Sequence, residues 1–339
     1  MSVIGVLTAG GDCPGLNAVI RGIVVRAQEN HDAEVVGIMN GWEGLMEGDV
    51  KLLDRRDVSG ILAKGGTILG TSRKDPYVHG DGFASVAKTL KRNDIDSLIV
   101  IGGDGTLRTA LRLEADGARV VAVPKTIDND ISGTDFTFGF DTAVQIVTDA
   151  IDRLTTTAEA HNRVIIVEVM GRTKGWIATY GGLAGGAQAI LIPEVPYDLD
   201  EVTSLIRRRH RRGKNYSIMV VAEGIEPPEK VELAKDIFGF DRLGGVAYQL
   251  APVIEQMTGY ETRVTVLGHL QRGGTPTAFD RVLATRLGAK AADLAAEGRH
   301  GTMVAMKNAD IVPVPLAEGC AEIRGVDDAL YDVAETFFG

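Results

Sequence analysis

The stretch Leu98–Asp130, LIVIGGDGTLRTALRLEADGARVVAVPKTIDND, constrains this chain more than any other. Two apolar, β-branched runs, Ser97–Ile101 and Arg119–Val123, have the length of strands buried on both faces. Between them, about Leu107–Ala115, apolar residues fall at helical spacing: Leu107, Ala110, Leu111 and Leu113. A strand, helix and strand of these lengths join as a right-handed βαβ unit. Each strand runs out into a polar signature, Gly102-Gly103-Asp104-Gly105-Thr106 after the first and Pro124-Lys125-Thr126-Ile127-Asp128-Asn129-Asp130 after the second. Ligands of open α/β sheets lie beyond the carboxyl ends of the strands, so both signatures are expected at one site.

The residue types suit phosphate chemistry. Gly102, Gly103 and Gly105 permit positive φ and let backbone N–H groups approach a ligand, and Thr106 is expected to open a helix whose N-terminus attracts anions. Asp104 alone would repel phosphate. A bridging Mg²⁺ removes that conflict, because it binds carboxylate and phosphate oxygens together. Asp128 and Asp130, alternate residues of an extended segment, would face one way, one as a base and the other supporting the metal. Lys125 and Thr126 can reach phosphate oxygens. The plain readings are a glycine turn with a helix cap, and an Asx-rich turn. Either signature alone fits them as well, but both at the ends of adjacent strands favour a phosphoryl-transfer site.

Charge sets a further condition. The net charge of −10 opposes an anionic substrate and argues against nucleic-acid binding, so cations must be concentrated locally. Candidates are Arg73, Lys125, Arg163, Arg172, Arg263 and Arg272. The 339 residues suffice for two α/β domains, and no run of about 18 apolar residues suggests a membrane span. The first residues lack the basic segment of a signal peptide, and the two cysteines, Cys13 and Cys320, make no disulfide framework. A cytoplasmic setting is expected. Cys13 reads as a small apolar filler and Trp42, in the turn Gly41–Gly44, as packing.

Further glycine-rich loops accompany the first two. Strand Val3–Leu7 runs through Thr8–Asn17 into a helix from about Ala18 to Glu29, and Gly65–Arg73 ends in a cation followed by Lys74. A second half begins near Gly133–Asp141, with a helix over Thr142–Thr156. Strand Val164–Val169 leads to Met170-Gly171-Arg172, and Glu168, Gly171 and Arg172 are expected where a sugar could lie. Gly181–Gly186 reads as a helix start, Ala189–Ile192 as a strand, the basic run Arg207–Arg212 as a solvated helix end or, on a sharper reading, an anion site, and Ser217–Ala222 as a strand ending at Glu223. Glu261–Gly274 reads as a strand flanked by Arg263, His269 and Arg272, types that suit a sugar-phosphate clamp. Asp280–Ala296 reads as a helix returning to the first domain, and the tail shows no motif.

GGDGT joined to PKTIDND resembles the 6-phosphofructokinase family, and TAGGDCPGLNAVIRG, GGTILGTSR, VEVMGR, VAEG and ETRVTVLGHLQRGG extend the resemblance over nearly the whole chain. It implies an α/β protein of two doubly wound, Rossmann-like three-layer domains with the active site in the cleft between them. These would be 1–139 plus about 271–320 for the nucleotide, and 140–270 plus about 321–339 for the sugar phosphate. The implied reaction is phosphoryl transfer from Mg-ATP to the 1-hydroxyl of fructose 6-phosphate. In that resemblance Asp128 is the base, Thr126 and Arg172 contact transition state and substrate, Asp104 holds Mg²⁺, and Asp130 assists metal and sugar. Gly11, Arg73, Lys74, Gly103, Gly105 and Thr106 match the nucleotide site. Met170, Gly171, Glu223, Arg263, His269 and Arg272 match the sugar-phosphate pocket. Arg163 and Arg263 match arginines donated by a neighbouring subunit, which implies a homotetramer or homodimer with shared sites.

Departures from the family pattern leave the donor open. Gly105 stands where ATP users carry Gly and pyrophosphate users carry Asp, whereas Lys125 is usual in pyrophosphate users. Thr109 replaces a Gly near the adenine. Gly105 favours ATP, because a missing side chain is what room for the nucleotide requires. Arg21, Arg55, Arg212 and Lys214 match basic residues of the family's effector site, but Val25, Gly60 and Thr155 interrupt it. The region between Glu223 and Arg263 is about twenty residues longer than in shorter bacterial members, an insert that a loop absorbs cheaply. The alternatives are a pyrophosphate-dependent enzyme and a non-catalytic sugar-phosphate sensor, with sedoheptulose 7-phosphate open as a substrate.

Overall fold

The computed structural model describes residues 2–228 and 243–339. Its strands are, in chain order, β1 (Val3–Thr8), β2 (Glu34–Ile38), β3 (Val50–Leu53), β4 (Ser97–Gly102), β5 (Val120–Thr126), β6 (Phe138–Gly139), β7 (Val164–Val169), β8 (Ala189–Leu191), β9 (Ser217–Ala222), β10 (Thr262–Val266), β11 (Thr302–Lys307) and β12 (Asp310–Pro315). They fall into two units. One runs to Thr142 and resumes over Arg272–Ile323, and the other holds Ala143–Gln271 and Arg324–Gly339.

The first unit is built on the order β12-β11-β5-β4-β1-β2-β3, with β6 paired to β5. β1, β2, β4, β5 and β11 are parallel, and the flanking β3 and β12 are antiparallel. The expected βαβ is there, with Leu98 opposite Val120. β1 and β4 are neighbours, but the chain leaves β1 toward β2 and β4 toward β5. Adjacent strands whose connections part in this way open a crevice at their carboxyl ends. The Gly10–Leu16 and Gly102–Thr106 segments both start there.

Helices Leu16–His31 and Ala278–Ala296 cover this sheet. They approach so closely that a Cβ at Gly22 would lie 2.8 Å from Thr285 O, and one at Gly288 2.4 Å from Val19 O. This contact returns the late segment Arg272–Ile323 to the first unit. The tail without a readable motif supplies β11, β12 and the helix Asp328–Thr336.

The second unit carries a four-stranded parallel sheet, β10-β7-β9-β8. β7 and β9 are adjacent and their connections run in opposite directions along the sheet, β7 on past β9 to β8 and β9 back past β7 to β10, which places this unit's crevice at Val169–Arg172 and Ala222–Glu223. Several expected bounds shift. The helix expected over Thr142–Thr156 spans Phe140–His161. Gly181–Gly186 lies at the end of helix Trp176–Ala184, not at a helix start: Gly185 is its C-cap, and Gly181 lets the Val147 side chain pack against the helix. Trp42 is buried in a short helix, Trp42–Glu47. Of the expected insert, residues 229–242 lie outside the described residues, and Val246–Thr258 is a helix. Among the described residues, no helix is long and apolar enough to cross a membrane.

Candidate active site

In the first unit, side chains tie the β1 exit to the 64–72 loop, and the backbone bond from Ala9 N to Ile101 O (3.0 Å) ties it to β4. Thr8 Oγ1 donates to Gly70 O (2.7 Å), Thr71 Oγ1 to Gly10 O (2.7 Å), and Asn17 joins Lys64 O, Gly65 O and Ile68 N. Three Gly-containing loops thus form one surface. Gly10 adopts φ +80°, a conformation that suits glycine.

GGDGT departs from expectation in its mechanics. Gly102, Gly103 and Gly105 do not take positive φ. The helix begins at Asp104, not Leu107, with Gly103 as its N-cap, so Thr106 lies within the first turn instead of opening it. What requires glycine is space: a Cβ at Gly102 would sit 2.3 Å from Thr106 Cβ. Gly105 differs, since a Cβ there meets nothing within 4 Å. The exposed face of the helix start at Gly105 is open. Asp104 accepts a hydrogen bond from Arg108 Nε one turn on (2.8 Å). Thr109, one turn beyond Gly105, is buried and donates to Asp75 Oδ2 (2.6 Å).

β5 delivers the second signature, and all of its polar side chains are buried. Lys125 Nζ donates to Gly11 O, joining β5 to the first loop. Burial pushes the Lys125 ammonium pKa down, with the nearby Arg272 charge acting in the same direction and Asp128 against it. Arg272 itself donates to Asp12 O (3.1 Å), so Gly11 and Asp12 turn their carbonyls to two cations. Asp128 and Asp130 do not lie on an extended segment. Asn129 between them takes φ +52°, and Asp128 N bonds back to Thr126 Oγ1 (3.0 Å). Asn tolerates this left-handed conformation better than most residues. Asp128 is 4% exposed, and its Oδ1 has no hydrogen-bond partner among the described residues. A buried, unpaired carboxylate oxygen is costly unless something else uses it.

The strand ends of the second unit are arranged differently. Glu168 is not available to a sugar: its carboxylate accepts from Gly245 N (2.7 Å) and Ala247 N (2.9 Å), capping helix Val246–Thr258. After β7 the chain turns sharply, with Gly171 at φ +143° and Arg172 at φ +54°. Arg172 N donates to Glu223 Oε1 (3.1 Å), and a Cβ at Gly224 would fall 1.8 Å from Arg172 O. Such backbone in a non-glycine residue costs roughly 1–3 kcal/mol and persists where its surroundings fix it. His269 is exposed on the 3₁₀ turn Gly268–Arg272, not on a strand. Arg163 and Arg263 both pair with Glu261, Arg163 Nε at 2.9 Å from Oε2. The Arg163 hydrogen bond, reinforced by both guanidinium charges, holds the Glu261 carboxyl below its ordinary range.

Other expected cations are also engaged. Lys74 Nζ pairs with Glu43, which raises its pKa, and Arg73 is exposed beside it. Arg55 pairs with Glu29 (2.5 Å). Cys13 is buried and held protonated, its pKa pushed up to about 12 by burial. The sequence reading missed Gln271, fully buried, and Asp280, whose Oδ2 accepts from Thr142 N (2.8 Å) and Thr142 Oγ1 (2.5 Å). Each has a partner far away in the chain, Met170 for Gln271 and Thr142 for Asp280, so no local pattern marks either residue.

Doubly wound sheets with glycine loops and buried carboxylates at their switch points define a phosphate-handling α/β protein. The sequence pattern of the phosphofructokinase family matches residues 3–295, and the chain belongs to that family. It is 54% identical to a pyrophosphate–fructose 6-phosphate 1-phosphotransferase of Amycolatopsis methanolica, over 99% of both chains. It is also 51% identical to ATP-dependent 6-phosphofructokinase 3 of Streptomyces coelicolor, over 98% of both. The structure superposes on the T-state phosphofructokinase of Pichia pastoris with TM-score 0.85 at 34% identity, covering 99% of this chain and 38% of that one.

Proposed function

We propose that the chain catalyses phosphoryl transfer from Mg-ATP to the 1-hydroxyl of fructose 6-phosphate, giving fructose 1,6-bisphosphate. The observation that carries this reading is Asp128: a buried carboxylate with one oxygen unpartnered among the described residues, at the end of a strand whose neighbour exits into the open Gly105 helix start. A general base needs an oxygen free to take a proton, and burial beside Lys125 preorganises it. In this reading Asp128 takes the hydroxyl proton and Thr126 holds the carboxylate segment. Gly11, Gly103, Gly105, Thr106, Arg73 and Lys74 bind the nucleotide. Met170, Gly171, Arg172, Glu223, Arg263, His269 and Arg272 bind the sugar phosphate, and Asp130 assists.

Among the described residues no three His, Cys, Asp or Glu side chains form a metal cage. Mg²⁺ asks for less, one or two carboxylates with phosphate oxygens and water, and Asp104 at the helix start beside the open face at Gly105 fits that. When bound there, the ion neutralises phosphate charge. The chain's own part is to position the hydroxyl, take its proton at Asp128 and stabilise the transferring group with arginines and backbone amides.

A pyrophosphate donor is the second reading, favoured by Lys125 and by a 54% identical relative with that name. Room at Gly105 favours ATP. We further propose a cytoplasmic homotetramer or homodimer in which Arg163 and Arg263 serve a neighbouring subunit's sugar phosphate. Product analysis after incubation with fructose 6-phosphate, Mg²⁺ and either donor tests the reaction. Fructose 1,6-bisphosphate is the expected product. Its absence with both donors would leave the sugar-phosphate sensor.

A further inference from the structure

Gln271 is fully buried where β7 and β10 end. The two strands pair in parallel register as far as Glu168 opposite Val266, and one more backbone bond extends the pairing, Leu267 N to Glu168 O (3.0 Å). There the strands part, because Gly268 takes φ +48° and opens the turn to Arg272. Met170 N, the next donor on the β7 side, no longer meets a neighbouring strand. Gln271 fills the place: its Oε1 accepts from Met170 N (3.3 Å), and its Nε2 donates to Gly268 O (3.1 Å). A primary amide carries the donor and acceptor of a peptide group, so the side chain acts as one more rung of the ladder. The partners fix its orientation, since one is a donor and the other an acceptor.

Gln271 thereby braces the two residues after Met170. Gly171 and Arg172 are the two positive-φ residues of the strand end. They are bracketed by two side-chain oxygens, Gln271 Oε1 on Met170 N and Glu223 Oε1 on Arg172 N. Backbone of this kind holds its shape only where flanking contacts over-determine it. We propose that Gln271 is a positioning residue of the sugar-phosphate pocket, one that fixes the Met170–Arg172 strand end and the turn bearing His269 as a single piece. The proposal rests on the assignment of this crevice to the sugar phosphate.

The test uses the full-length enzyme with Gln271→Leu and Gln271→Glu, measuring kcat, both KM values, the sugar-phosphate Kd and thermal unfolding. Gln271→Leu should raise the sugar-phosphate KM and Kd by roughly ten- to a hundredfold, the usual penalty for a displaced site, while the donor KM stays within about twofold. Gln271→Glu carries a sharper signature. An ionised carboxylate accepts from Met170 N but cannot donate to Gly268 O, whereas the protonated acid does both. Its kcat/KM for the sugar phosphate, relative to wild type, should therefore rise as pH falls from 8 to 6. Sugar-phosphate parameters unchanged in both variants would overturn the proposal. So would donor and sugar KM values rising together with a lost folding transition, or failure to recover either variant folded, since each makes Gln271 a residue of the fold alone. The wild-type assay scores the pocket assignment separately, because the variants are compared on whichever sugar phosphate the wild type binds.

Discussion

The strand ends of the two units hold their polar groups in opposite ways. In the first, Lys125, Thr126, Asp128 and Asp130 are all under a tenth exposed, and loops of the same unit supply their surroundings. In the second, Arg163 precedes the interior strand β7 and Arg263 lies near the start of the edge strand β10, both at the amino ends of their strands, and the Arg263 side chain is 58% exposed. A single carboxylate, Glu261, holds both. The contrast separates two tasks. If Asp128 is the base, as proposed, it must be fixed before the substrate arrives, and the first unit holds its carboxylate buried, with Oδ1 unpartnered among the described residues. Arg163 and Arg263, if they serve a phosphate as proposed, can wait in a solvated pair, where such interactions are worth little.

The largest effect should therefore come from the buried side. Asp128→Asn keeps shape but removes the proposed base, and should lower kcat by about 10²–10⁴ with a smaller change in KM. Steady-state kinetics with fructose 6-phosphate checks this, and a near-normal kcat would remove Asp128 from that role.

On the exposed side, Arg163→Ala should raise the sugar-phosphate KM with little change in unfolding temperature, because Arg263 still satisfies Glu261. The two sides can also be played against each other. If Arg163 serves the neighbouring subunit, co-expressed Arg163→Ala and Asp128→Asn chains should recover activity at sites that pair an intact Asp128 with an intact Arg163. Mixed oligomers no more active than the two parents together would confine each site to one chain.

The smallest effect concerns Asp280, buried in the first unit with no cation partner among the described residues. Burial lifts its pKa to about 6, against the pull of its Thr142 hydrogen bonds. A carboxyl with a raised folded pKa adds stability below its ordinary range, near pH 4, and that stability is lost as pH rises through about 6. Ionisation should thus cost the fold on the order of 3 kcal/mol at pH 7. Asp280→Asn keeps an acceptor for Thr142 but cannot ionise, so its stability relative to wild type should rise between pH 4 and pH 7. Parallel unfolding curves across that range would contradict the assignment.

How much of this was legible in the sequence differs between the same two regions. β4 and β5 announce themselves as β-branched runs, because burial on both faces leaves no polar alternation to confuse them. The signatures at their ends could be placed for the same reason. Details that depend on conformation or distant partners could not. Nothing local says that Asn129 turns left-handed, that Gly103 caps the helix, or that Glu168 caps a helix 77 residues further on. The second unit suffers more. Glu261 lies two residues from Arg263, but Arg163 reaches it across 98. β12 was hidden by its two prolines, which belong on sheet edges and read as a break.

The choice of donor turns on one missing side chain in the first unit, at Gly105. Initial rates of the wild type and of Gly105→Asp, at saturating fructose 6-phosphate and Mg²⁺ with ATP or pyrophosphate varied, test it directly. A Cβ at 105 meets nothing within 4 Å, so the variant should fold as the wild type does. The wild type should turn over faster with ATP, and the added carboxylate should abolish most of this through bulk and repulsion of phosphate. Faster wild-type turnover with pyrophosphate than with saturating ATP, or ATP kinetics unchanged by Gly105→Asp, would contradict it.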